Sequence, residues 1–136
     1  METRKVALGT VAYTVGTFTL AVVWHILLFE NQYRRFGYIE GEPNFAIGFV
    51  TILAQGVLLS LLFPMFKIAG TGIIRGLKFV VPIGAFFWTS HVLAFIAKQT
   101  IQDVPLFVMM ETIYLGLQFG LFGVLIGVIY RGDSST

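Results

Sequence analysis

The residues best suited to chemistry in this sequence lie inside long apolar segments. Six polar or titratable side chains are spread over four such segments: His25, Gln55, His91, Glu111, Tyr114 and Gln118. Glu111 is the one carboxylate that must lie within the membrane, where a charged group is costly enough to indicate a functional site. It can accept a proton or a cationic group, and the two imidazoles can supply hydrogen bonds.

The same residue types allow two cofactor hypotheses. His25, His91 and Glu111 together are a ligand set that suits zinc or another divalent metal ion. Two histidines on facing helices can also ligate one b-type haem. The chain contains neither an HExxH motif nor a pair of ExxH motifs, so no close local spacing favours one cofactor. Both hypotheses stay open on the sequence alone.

The composition is that of an integral membrane protein. The chain has 136 residues, of which 57% are hydrophobic and 12% charged, whereas soluble domains carry about 25% charged residues. The absence of cysteine excludes disulfides, thiolate chemistry and iron–sulfur ligation. The mildly basic balance follows from membrane topology and does not indicate nucleic acid. Ser60 and Ser90 have no triad partners evident in the sequence, so we favour a non-enzymatic protein.

Hydropathy predicts one all-α domain, residues 1–136, with four transmembrane helices. The predicted spans are residues 6–29, 45–66, 77–97 and 104–130, running up-down-up-down as a bundle in the lipid bilayer. Basic residues are in excess near the termini and in the middle loop: Arg4, Lys5, Lys67, Arg75, Lys78 and Arg131. By the positive-inside rule this predicts a multi-pass protein of the cell (inner) membrane with both termini cytoplasmic (N-in, C-in).

The polar stripes of the four spans are expected to face one another. A polar group in hydrocarbon without a partner costs several kcal/mol, on the order of 2–7. At about 1.5 Å per residue, both histidines and Glu111 lie roughly 6–11 Å below the outer surface. Gln55 and Tyr114 lie deeper, and Gln118 lies near the middle. The sequence therefore predicts an outward-opening polar pocket.

The last span also carries a stripe of glycines. At roughly 100° per residue, Gly116, Gly120, Gly123 and Gly127 fall on one face, opposite the polar stripe of Glu111. Small residues let another helix backbone approach closely in lipid. Because the polar stripe faces inward, we expect the glycines to face outward and to mediate a homo-oligomer, such as a homodimer, or contact with another membrane subunit. The alternative is that a neighbouring helix of the same chain fills the groove.

The longest connection, residues 31–43, is expected to be a solvated loop, with a partial lid over the pocket as the alternative. Several aromatic residues among Trp24, Trp88, Tyr33, Tyr38 and Tyr13 are interpreted as interface anchors, since these residue types concentrate at membrane–water boundaries.

Two patches resemble a known group of proteins. They are the WHILLF end of the first helix, residues 24–29, and the glycine-rich end of the last helix through Gly127, Tyr130 and Arg131. They resemble small uncharacterised prokaryotic four-span membrane proteins, known as a domain of unknown function. His25 departs from the tyrosine expected there. The resemblance implies the four-span fold and no mechanism.

The sequence therefore predicts a small integral membrane protein that binds a small ligand or ion in the polar pocket, for transport or sensing. One alternative is a structural or accessory subunit of a larger membrane complex. Another is a bis-histidine haem or metal protein with a redox role.

Overall fold

The computed structural model describes residues 2–133, and every regular element in that range is a helix. Four helices are long and apolar enough to cross a membrane, and we name them the first to fourth spans: Thr3–Leu28, Phe45–Met65, Gly72–Lys98 and Val104–Ile129. A short helix, Glu30–Phe36, lies between the first and second spans. The prediction of an all-helical chain with four apolar spans is confirmed.

Two of the spans change helix type near one end. The first span is α-helical over Thr3–Ala21 and π-helical over Val22–Leu28. The third is α-helical over Gly72–Trp88, π-helical over Thr89–Leu93, and α-helical again over Ala94–Lys98. π-Helical turns, with their i→i+5 hydrogen bonds, are rare and are often found at functional sites.

The third span begins earlier than the predicted residue 77. Gly72 and Gly76 suggested a loop in the sequence, because glycine disfavours a helix interior. In the structure both glycines lie where the third span touches the fourth, and the missing side chains allow that close approach. Pro82 lies inside the helix.

The spans pack in the spatial order second, first, fourth, third, and the first and fourth spans are therefore the inner two. Neighbouring spans are antiparallel. Gly9, near the start of the first span, lies against Ser60 of the second and Ile126 of the fourth. At the same end of the bundle, Lys5 forms an ion pair with Asp133 at 2.6 Å. We call the other end, where the first and third spans finish, the site end.

The glycine stripe of the fourth span divides between two environments. Gly123 and Gly127 are buried against the third span, and a Cβ at Gly127 would lie 2.6 Å from the carbonyl oxygen of Gly72. A Cβ at Gly116 or Gly120 would meet no described atom within 4 Å. Contact within the chain thus accounts for half of the stripe. The sequence argument gave each span a single inward face, whereas the fourth span has neighbours on two sides.

Replacing Gly127 with alanine is expected to destabilise the protein by about 1–3 kcal/mol, because the added methyl group overpacks the contact with Gly72. Gly116→Ala is the matched control. It should leave stability unchanged or slightly raised, since glycine inside a helix costs about 0.5–1 kcal/mol relative to alanine. Thermal unfolding of both variants in one detergent measures the difference, and equal melting temperatures would contradict the packing described.

Candidate functional site

The carboxylate of Glu111 lies at the centre of the site. Its side chain has 0% exposure. Oε1 lies 3.0 Å from Nε2 of His25, and Oε2 lies 2.6 Å from Nε2 of His91. The Tyr33 hydroxyl also donates to Oε1. Three separate segments of the chain thus converge on one carboxylate.

The contacts of His25 indicate which of its ring nitrogens carries a hydrogen. Nδ1 of His25 lies 3.2 Å from the carbonyl oxygen of Ala21, which can only accept, so Nδ1 carries hydrogen. If His25 is neutral, its Nε2 then presents a lone pair to Glu111. A hydrogen bond between them requires a proton on one of the two groups. The pair therefore holds one shared proton and carries no net charge, which makes its burial in lipid far less costly than that of a lone carboxylate.

His91 links the carboxylate to the protein surface. Its side chain is 32% exposed, against 12% for His25. Nε2 of His91 is also 3.2 Å from the Tyr38 hydroxyl, so a protonated Nε2 donates to the nearer atom, the Glu111 oxygen. Nδ1 of His91 has no hydrogen-bond partner among residues 2–133.

The connection between the first two spans contributes two aromatic residues that the sequence argument treated as boundary anchors. Tyr33 is fully buried, accepts a hydrogen bond from the Trp24 indole at 2.7 Å, and donates to Glu111. Burial, together with the neighbouring carboxylate, raises the pKa of the Tyr33 phenol, so the hydroxyl stays a donor. The signal was present: Tyr33 and Phe36 are spaced i, i+3 and form the buried face of the short helix.

The remaining predicted residues form a second, deeper group. The Tyr13 hydroxyl donates to Oε1 of Gln55 at 3.0 Å and accepts from Nε2 of Gln118 at 2.9 Å. Tyr13 was not predicted as a site residue. Tyr114 lies between the two groups, with its ring centroid 4.5 Å from that of His25. Apart from Tyr114, the predicted residues therefore belong to two hydrogen-bonded groups at two depths.

A cleft of about 520 Å³ opens beside these groups. Five of the six predicted site residues line it: His25, Gln55, His91, Tyr114 and Gln118. Glu111 lies behind the imidazoles. The connection forms one wall through residues that include Tyr38 and Asn44. This segment is thus a wall of the cleft as well as a link between spans.

The geometry suits hydrogen bonding better than it suits either cofactor. Within residues 2–133, no group of three or more His, Cys, Asp or Glu side chains is arranged to hold a metal ion. Each Nε2 is instead engaged by a different oxygen of Glu111. A bis-histidine haem needs both Nε2 atoms facing one iron across a flat ring, and here the carboxylate occupies that position. We therefore derive no chemistry through a metal or haem.

Comparison with known proteins adds no family to this description. No family model matches the chain, and neither a curated protein nor a solved structure matches it.

Replacing Tyr33 with phenylalanine is expected to destabilise the protein by about 1–3 kcal/mol, because the buried Glu111 carboxylate loses a donor and the Trp24 indole loses its acceptor. Tyr114→Phe is the matched control, since the Tyr114 hydroxyl makes no hydrogen bond among the described residues. Thermal unfolding in detergent compares the two. A Tyr33→Phe variant as stable as Tyr114→Phe would show that the phenol is not part of the network.

Proposed function

We propose that this chain is a small multi-pass protein of the cell membrane that binds a small molecule or ion in the cleft beside Glu111, for transport or sensing. The four apolar spans support a membrane location. The excess of basic residues near the termini favours an up-down-up-down topology with both termini in the cytoplasm. In that orientation the site end, and with it the cleft, faces outward.

One observation carries the proposal: His25 and His91 each use Nε2 to hold a fully buried carboxylate, while their rings line an open cleft. A molecule in the cleft would contact the imidazoles that set where the shared proton lies. Binding and proton position would then be coupled by direct contact, which is what a proton-linked transporter or a sensor requires. If no cleft adjoined them, the same hydrogen bonds would only stabilise the packing of the helices.

The topology and the openness of the cleft can be tested together, because the chain has no native cysteine to remove. In intact cells, Thr51→Cys, in the cleft wall, is expected to react with a charged, membrane-impermeant maleimide, whereas Arg131→Cys should react only after permeabilisation. Val57→Cys, exposed on the second span away from the cleft, is the control and should not react. Labelling of Arg131→Cys in intact cells would mean that the topology is opposite to the proposed one. An unreactive Thr51→Cys would mean that the cleft is closed to the reagent.

The role of the carboxylate is tested by Glu111→Gln, which keeps the shape of the side chain and removes the shared proton. Small acids, amines and metal ions that raise the melting temperature of the wild-type protein are expected to lose that effect in this variant. Glu42→Gln, an exposed carboxylate in the connection, is the control and should behave as the wild type. Unchanged stabilisation of a folded Glu111→Gln variant would remove the basis of the proposal.

A second candidate is an accessory subunit of a larger membrane complex. It is favoured by the open face of the fourth span, where Gly116 and Gly120 leave room for another backbone. A second copy of this chain is the other candidate for that face. Co-purification with an unrelated membrane protein would favour the accessory role. The resemblance to small prokaryotic four-span proteins fits either candidate.

A further inference from the structure

A second cleft lies below the first, on the side of the bundle between the second and third spans. It has a volume of about 480 Å³. Gln55 and Phe87 line both clefts, so the two adjoin and form one groove. We call the two parts the upper cleft, at the site end, and the lower cleft. The groove therefore leads from the imidazoles into the middle of the bundle.

The packing order of the spans explains the groove. The second and third spans are the two outermost helices, and they meet through aromatic rings at the end away from the site. The Phe79 ring lies 5.0 Å from that of Phe63 and 5.8 Å from that of Phe66. From His91 down to Phe79 the groove runs about 18 Å at 1.5 Å per residue, close to the ~15 Å depth of one leaflet.

The two parts of the groove differ in polarity. The lower cleft is walled by hydrocarbon side chains apart from Gln55 and Lys78, and the Lys78 ammonium donates to the carbonyl oxygen of Ala69. Two residues at its edge, Leu58 and Phe86, are 59% and 70% exposed. At this depth the surroundings of a membrane protein are lipid chains, so the lower cleft opens sideways into the bilayer.

The upper part of the groove offers hydrogen-bond donors that the protein does not use. Oε1 of Gln55 accepts from Tyr13, and the amide N–H groups of Gln55 have no partner among residues 2–133. Gln55 and His91 both line the upper cleft. A ligand that satisfies the Gln55 amide must bring acceptor oxygens.

We infer that the groove binds a single-chain amphiphile with a carboxyl head, of the long-chain fatty acid class, which enters sideways from the bilayer. The head accepts from the Gln55 amide beside the His91 ring, and the chain lies in the lower cleft. This inference rests on the proposed function and names its ligand class. The His25–Glu111 pair carries no net charge, so it does not repel a carboxyl group placed beside it.

The head supplies the affinity in this arrangement. A chain that leaves the bilayer for the lower cleft exchanges lipid contacts for protein contacts of the same polarity, with little gain. Hydrogen bonds to the Gln55 amide N–H groups, which have no partner among residues 2–133, do favour the bound state. A helix from a second copy fits less well, because its backbone carbonyls are already bonded and bring no free acceptor to Gln55.

The test uses palmitic acid carrying a photoactivatable diazirine near its terminal methyl group, added to the full-length protein in phosphatidylcholine vesicles. After illumination, adducts are mapped by peptide mass spectrometry. We expect saturable adducts on lower-cleft residues of the second and third spans, such as Leu62 and Ile83. Excess palmitic acid should compete, whereas hexadecylamine, which has the same chain and a donor head, should not.

Three variants sharpen the result. Gln55→Leu should lower the adduct yield at subsaturating probe by about three- to tenfold, the effect of one net hydrogen bond. Leu62→Trp, which fills the lower cleft, should abolish adducts there. Val81→Trp, on the exposed face of the third span, is the matched control and should change nothing. Thermal unfolding checks that each variant is folded. If Leu62→Trp does not fold, Gln55→Leu still tests the inference.

Two outcomes would overturn the inference. One is adducts spread evenly over lipid-facing residues such as Val15 and Val81. The other is a disulfide-linked dimer of Leu62→Cys, which would mean that a second copy covers the lower cleft. If small molecules still stabilise the protein through Glu111 while no lower-cleft adducts form, the inference fails and the proposed function stands. If no lower-cleft adducts form, no small molecule stabilises the protein through Glu111 and Thr51→Cys is unreactive, both fail.

Discussion

The pairing of one buried carboxylate determines how this bundle is put together at its site end. Glu111 has no exposed surface, and an unpaired charge in lipid is too costly to keep. Its partners come from the first span, from the connection after it and from the third span, as His25, Tyr33 and His91. The fourth span therefore holds the other segments in register by hydrogen bonds, in an environment where apolar packing alone distinguishes protein from lipid only weakly.

The widened helical turns belong to the same arrangement. His25 lies in the π-helical Val22–Leu28 and His91 in the π-helical Thr89–Leu93. An extra residue in a turn changes the direction of the side chains that follow it, and it weakens the regular hydrogen-bond pattern of the helix. Both irregular turns occur where an imidazole meets Glu111.

The sequence predicted the parts of this structure that depend on periodicity and on the cost of polar groups in lipid. Those arguments identified the four apolar spans, and they gave His25, His91 and Glu111 a common depth. They missed the role of Tyr33, because a polar segment with two arginines is typical of a solvated loop. The helical spacing of Tyr33 and Phe36, which form the buried face of this segment, was the signal against a loop. For the glycine stripe these arguments favoured contact outside the chain over contact with a neighbouring helix, whereas Gly127 contacts the third span. A helix with neighbours on two sides has no single inward face.

The order second, first, fourth, third has a consequence for how the chain assembles in a membrane. Each consecutive pair of spans forms a hairpin with its own internal polar contact: Tyr13 with Gln55 in the first, and His91 with Glu111 in the second. In a membrane, either hairpin alone can thus satisfy some of its polar groups by hydrogen bonds within the hairpin. The bonds of His25 to Glu111 and of Tyr13 to Gln118 link the two hairpins, so they require both hairpins to be in place.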